Sequence, residues 1–109
     1  MIGDLGEEHA PYFFAPKVTP EERDRHLPPG MRNTHHAVKP IELLRWLIRL
    51  VVPEGGTVCD PFMGSGSTGC ACTMEGMHFI GIEREADYAE LADARIEGWA
   101  KARRQGDAR

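Results

Sequence analysis

A run of ten residues in the middle of the chain combines the side chains and spacing needed to hold a charged nucleoside. Asp60-Pro61-Phe62-Met63-Gly64-Ser65-Gly66-Ser67-Thr68-Gly69 contains the pattern G-x-G-x-x-G at Gly64, Gly66 and Gly69. The run follows a short strand-like segment, Thr57-Val58-Cys59, and leads into a helix near Ser67. A second acid, Glu83, stands at the tip of the next strand. This is the context in which such a pattern has meaning. Glycines allow the sharp turn and the close approach of a ligand to the backbone. Free amides at a helix start attract an anion, and Glu83 can accept hydrogen bonds from both hydroxyls of a ribose. A phosphate-cradling P-loop is excluded, because Cys70 stands where a Lys is required.

Two ligand classes share this geometry, NAD(P) and S-adenosylmethionine, and Asp60 separates them. A carboxylate beside a pyrophosphate adds like-charge repulsion. S-adenosylmethionine offers an ammonium group to Asp60 and a carboxylate to the helix-start amides and the hydroxyls of Ser67 or Thr68. Phe62 can lie against its adenosyl part.

The elements that must position these groups are legible from patterning. Strand (57–59), loop, helix (67–75, stopped by Gly76), strand (78–82) and helix (86–103) form a βαβ unit with a parallel sheet. Upstream, Pro40 opens a helix on which Ile41, Leu44, Leu47, Ile48 and Val51 recur at helical spacing, widened by Leu43 and Leu50. That face and Trp46 are expected to be core, with Arg45 and Arg49 on the polar side and Pro53-Glu54-Gly55-Gly56 as the stop. Earlier still, Thr19-Pro20-Glu21-Glu22 reads as a capped helix start, with Pro28-Pro29-Gly30 ending it. Tyr12-Phe13-Phe14-Ala15 is a strand candidate. Three segments follow: a lead-in over 1–30, the cofactor-binding half over 31–104, and a frayed tail over 105–109.

Size and composition bound the rest. A chain of 109 residues suggests one domain. Its 41% apolar and 28% charged residues fit a globular fold. No apolar run approaches the about 20 residues of a membrane helix, and no basic region precedes an apolar stretch at the N-terminus. A cytoplasmic location without membrane contact is the resulting expectation. The net charge of −4 argues against a stand-alone nucleic-acid binder. The three cysteines, Cys59, Cys70 and Cys72, cannot all pair within the chain. The Cys-x-Cys spacing is narrower than structural zinc sites use, so no metal is expected and all three read as small, buried, inert thiols.

With these residues in view, the sequence resembles the β-class N6-adenine and N4-cytosine DNA methyltransferases. DPFMGSGST looks like that family's cofactor motif. Asn33-Thr34-His35-His36-Ala37-Val38-Lys39-Pro40 resembles its Asn-x-His-Pro-Thr-x-Lys-Pro motif, which borders the same site. Gly81-Ile82-Glu83-Arg84 is similar to its ribose-binding segment. The stretch FFAPKVTPEERDRH resembles the segment before the Lys-Pro motif, especially in phage and prophage enzymes. The likeness runs from about Tyr12 to Trp99, with motifs in β-class order. It implies a partial Rossmann-like fold (a βαβ core with an incomplete parallel sheet). It also implies S-adenosylmethionine as cofactor, DNA as partner, and His35, Lys39, Asp60, Phe62, Gly64, Gly66, Ser67, Thr68 and Glu83 as cofactor-binding residues.

Two departures qualify what the resemblance implies. His36-Ala37 stands where the family has Pro-Thr. More consequentially, the family's catalytic tetrapeptide (Asp, Asn or Ser, then Pro-Pro and an aromatic) is absent. The one Pro-Pro pair lies in Leu27-Pro28-Pro29-Gly30. No catalytic residue is therefore assigned. The missing group would hold and stack a flipped-out base, so the chain is expected to be inactive alone, as a truncated product or one half of a split enzyme. It would then need a completing polypeptide or a second copy. An NAD-binding oxidoreductase module and a non-enzymatic assembly subunit are the alternatives.

Overall fold

A computed structural model describes residues 17–106. The strand candidate at residues 12–15, and the last three residues of the tail, lie outside this range. In chain order the elements are α1 (Pro20–Asp24), α2 (Ile41–Val51), β1 (Thr57–Asp60), α3 (Ser67–Glu75), β2 (His78–Gly81) and α4 (Ala86–Arg104). Helix α1 starts as its sequence demands: the Thr19 hydroxyl accepts the Glu22 amide at 3.2 Å, with Pro20 in the first turn. It ends earlier than Pro28, at Asp24. The backbone is extended at Arg25, and His26 adopts a φ of 65°.

The two strands pair in parallel, Thr57 opposite His78 through Asp60 opposite Gly81. The Ile82 amide donates to the Asp60 carbonyl at 2.9 Å, so the pairing carries one residue past β2. Helix α3 is the crossover. It stops at Gly76, whose φ of 74° lets its N–H reach back to the Cys72 and Thr73 carbonyls.

Ile41 and Ile48 of α2, Cys70, Ala71, Cys72 and Met74 of α3, and Trp99 of α4 form the core, against which Val58 and Phe79 pack from the sheet. Burial pushes the Cys70 thiol up to about 12 and the Cys72 thiol up to about 11, so both are inert at neutral pH. Cys59 corrects the expectation of three buried thiols: it is exposed. The reason is the sheet itself. Val58 and Phe79 point to the helices, while Thr57, Cys59, His78 and Ile80 point the other way and are exposed. Parallel sheets are normally covered on both faces.

Helix α2 holds a second correction. Ile41, Trp46 and Ile48 are buried as expected, but Leu47, Leu50 and Val51 are 39%, 60% and 73% exposed. The apolar stripe of α2 is wider than the surface α3 offers it. The arginines do not simply face water either. Arg45 Nε and Arg49 Nη1 both donate to Glu75 Oε2 at 2.7 Å, tying α2 to the C-terminal end of α3. No helix among the described residues is long and apolar enough to cross a membrane.

Candidate functional site

The glycine loop leaves β1 at Asp60 and turns at once, because Asp60 Oδ1 accepts the Phe62 amide at 3.0 Å. The Met63 amide then donates to the Ile82 carbonyl at 2.9 Å, pinning the loop to the end of β2. Gly64 and Gly66 take φ values of 58° and 82°, the left-handed region that suits glycine. They serve different neighbours. A Cβ on Gly64 would sit 2.8 Å from His35 Nε2, and a Cβ on Gly66 would sit 2.9 Å from Ala92 Cβ on α4. Gly64 thus admits the histidine, while Gly66 lets α4 pack close.

Helix α3 begins without a capping side chain, since its N-cap is Gly66. The first helical bond runs from the Cys70 amide to the Gly66 carbonyl at 2.9 Å. The amides of Ser67, Thr68 and Gly69 precede it, so they have no helical acceptor and face outward with the positive end of the helix dipole. Ser67 and Thr68 open on a cleft of 340 Å³, within the range of about 300–1,000 Å³ usual for small-molecule sites. Asp60, Phe62, Gly64, Ser67 and Thr68 line it from the loop, and His35 and Lys39 from the segment before α2. Phe62 stands at the rim, 86% exposed.

Glu83 and Gly66, also expected at the site, are not among the lining residues. Glu83 braces the loop from outside: Oε1 accepts the Gly64 amide and Oε2 the Glu85 amide, each at 2.8 Å. These two bonds, that of Glu85 first, hold its carboxyl below the usual range. Each oxygen keeps a further lone pair for a ligand hydroxyl.

The His35 segment reaches the loop through a polar network that patterning did not reveal. Asn33 is its hub. Its amide N–H donates to Asp24 Oδ1 at 2.8 Å, its Oδ1 accepts the His35 amide at 3.1 Å, and its Nδ2 donates to Ser65 Oγ at 3.2 Å. Arg23 donates to the carbonyls of Asn33 and His35. On the far side of Ser65 lies Arg95 of α4, fully buried, whose Nη1 donates to Ser67 Oγ at 2.7 Å and to Ser65 Oγ at 3.3 Å. The sequence held one signal for Arg95: it occupies the position four residues after Leu91 and four before Trp99, on the apolar stripe of α4.

The His35 ring meets Tyr88 edge-on at 4.6 Å and stacks on His36 at 4.9 Å. Its Nδ1 accepts the Ala37 amide at 3.0 Å, which requires a bare nitrogen. Burial first, then His36, lower its pKa below 6.5, with Glu83 pulling the other way. The unfolded chain therefore binds the proton more readily than the folded one, and stability falls as pH drops below 6.5 towards the folded value. We predict a thermal midpoint that declines across that window, and a flatter decline in His35→Asn. An unchanged slope in the variant would assign the effect to another group.

Among the described residues no three His, Cys, Asp or Glu side chains cluster as a metal site would require.

A parallel βαβ unit with an uncapped helix mouth and an acid at the tip of each strand is the binding portion of a Rossmann-like α/β protein. The DNA methylase family model, that of the N6/N4 enzymes, matches residues 6–94, and the chain belongs to this family. Among curated relatives, the type II methyltransferase M.BglI of Bacillus subtilis is 34% identical over 83% of this chain and 30% of its own length. The type II methyltransferase M.Cfr9I of Citrobacter freundii is 39% identical over 80% of this chain and 33% of its own. The chain thus spans about a third of the length of these relatives. Among solved structures, the complex of M1.HpyAVI with S-adenosylmethionine superimposes with a TM-score of 0.55 at 38% identity, covering 60% of this chain and 32% of that one. TTHA0409 of Thermus thermophilus, complexed with S-adenosyl-L-methionine, gives 0.54 at 30% identity over 78% and 39%. The fold is accordingly a partial Rossmann-like methyltransferase fold.

Proposed function

We propose that this chain is the S-adenosylmethionine-binding part of a DNA methyltransferase acting on the exocyclic amine of adenine (N6) or cytosine (N4). The observation that carries the proposal is the cleft itself: an uncapped helix mouth with a carboxylate on one side and His35 and Lys39 on the other. The residues present fit the cofactor. The amides of α3 and the hydroxyls of Ser67 and Thr68 suit its carboxylate. Asp60 suits its ammonium, the Glu83 oxygens its ribose hydroxyls, and Phe62 its adenosyl face. When bound, the cofactor supplies an electrophilic methyl group on a sulfonium. The chain's own residues bind and orient.

Base handling requires an acceptor for the target amine and a ring to stack on the flipped base. The tetrapeptide that supplies both in the family is absent from these 109 residues. We therefore assign it to polypeptide outside them, which also completes the sheet. The exposed sheet face (Cys59 and Ile80) and the exposed Leu50 and Val51 of α2 support that assignment.

Calorimetric titration of the chain should show heat for S-adenosylmethionine and none for NAD. Transfer of labelled methyl to DNA should be undetectable with the chain alone, and should appear on adding a polypeptide that carries the tetrapeptide. Binding of NAD with no binding of S-adenosylmethionine would remove the proposal.

A further inference from the structure

Arg95 is a costly residue in its position. It is fully buried on α4, between Leu91 and Trp99 on the same helix face, and both of those are also buried. Among the described residues no carboxylate forms a salt bridge with it, although Glu22 and Asp24 favour its charge through space, and its Nε and Nη2 have no hydrogen-bond partner. An unpaired buried charge ordinarily destabilises, and an apolar side chain of similar volume there would be neutral or better. Among the described residues, everything Arg95 bonds belongs to the glycine loop: the Ser65 carbonyl at 3.4 Å, the Ser65 hydroxyl at 3.3 Å and, most closely, the Ser67 hydroxyl at 2.7 Å.

The geometry at Ser67 shows what the guanidinium does. A serine hydroxyl has one hydrogen to donate and two lone pairs to accept with. With Arg95 Nη1 on a lone pair, the hydrogen must point away from the arginine. The charged donor also polarises the O–H bond and makes it a stronger donor in turn. Ser67 lines the cleft at the mouth of α3, beside the unpartnered amides. The hydrogen is therefore left free to point into the cleft, where an anion would sit. The same guanidinium places a full positive charge behind the helix mouth, in surroundings where water screens little of it.

We infer that Arg95 is a positioning residue that selects for the carboxylate of the ligand's amino-acid portion without touching it, by orienting and polarising the Ser67 hydroxyl. Its bond to Ser65 Oγ, which also accepts from Asn33 Nδ2, extends the same support to the His35 segment. This inference rests on the proposed cofactor reading.

The test compares two ligands on the full chain: S-adenosylmethionine, and 5′-methylthioadenosine, which keeps the nucleoside and lacks the amino-acid portion. Arg95→Met should fold with an unchanged or raised thermal midpoint. It should bind S-adenosylmethionine about tenfold more weakly, the scale of one hydrogen bond to a charged group, and bind methylthioadenosine as before. Arg95→Lys, which keeps the charge, should recover part of the loss. Ser67→Ala should reproduce the loss, and combining it with Arg95→Met should add little, because the two act as one unit. Should Arg95→Met fail to fold, Arg95→Lys and Ser67→Ala carry the same comparison. Equal weakening for both ligands, or no weakening for either, overturns the inference while leaving the cofactor reading intact. Absence of S-adenosylmethionine binding to the unmodified chain removes the cofactor reading and this inference with it.

Discussion

Gly66→Ala should cost about 2–5 kcal/mol and bring the chain close to unfolding. Two effects combine. An L-residue held at a φ of 82° is strained by about 1–2 kcal/mol. The added methyl would also lie 2.9 Å from Ala92 Cβ and 3.2 Å from Ala92 Cα. The second atom is backbone and cannot swing aside, so α4 must shift, at about 1–3 kcal/mol for an overpacked core site. A domain of this length has roughly 5–15 kcal/mol in all, and one with a bare sheet face sits at the lower end. Gly55 supplies the control. Its φ is 75°, but nothing lies within 4 Å of the Cβ position. Gly55→Ala should therefore show the strain alone, about 1–2 kcal/mol. Urea unfolding followed by circular dichroism would measure both. Equal losses in the two variants would mean that the approach of α4 to the loop is not tight.

Asp60→Asn should weaken S-adenosylmethionine binding about 10- to 100-fold, the worth of a charge-assisted bond to an ammonium group. The substitution is chosen for what it preserves. Asp60 Oδ1 accepts the Phe62 amide, and an asparagine oxygen can do the same, so the turn survives. Only the charge facing the cleft is lost. The thermal midpoint of the ligand-free protein should move little, which calorimetry can check. Because the dinucleotide reading is disfavoured by this same carboxylate, the variant should not bind NAD less well than the unmodified chain does. Unchanged affinity for S-adenosylmethionine would place the ammonium group elsewhere and break the pairing of strand-tip acid with amino acid.

Much of this architecture is visible in the residue order. The caps at Thr19, Pro40 and Gly76 and the glycine loop follow from local rules, because each depends on neighbours within a few positions; the parallel pairing of Thr57 with His78 follows instead from the strand-helix-strand order. Seven of the nine expected binding residues line one cleft: five sit on the loop, which is a single local object, while His35 and Lys39 belong to a segment joined to it by the Asn33–Ser65 bond. What the sequence concealed depends on partners far along the chain. The apolar stripe of α2 says that the helix is amphipathic. It does not say how much of the stripe finds cover, hence the exposure of Leu50 and Val51. Cys59 looked like a core thiol, because strand alternation does not reveal which face the helices take. The motif resemblance marks Asn33 but not its bonds, and only its place on the apolar stripe of α4 marks Arg95, since the meaning of both lies in bonds across about 30 positions.

The Ser65 hydroxyl receives Asn33 from 32 positions upstream and Arg95 from 30 positions downstream. Side chains, not the run of the backbone, therefore join the three pieces of the site. Such a junction is indifferent to the order in which its pieces are encoded. A gene rearranged so that the His35 segment followed α4 would rebuild the same junction, provided the new termini fell in exposed loops.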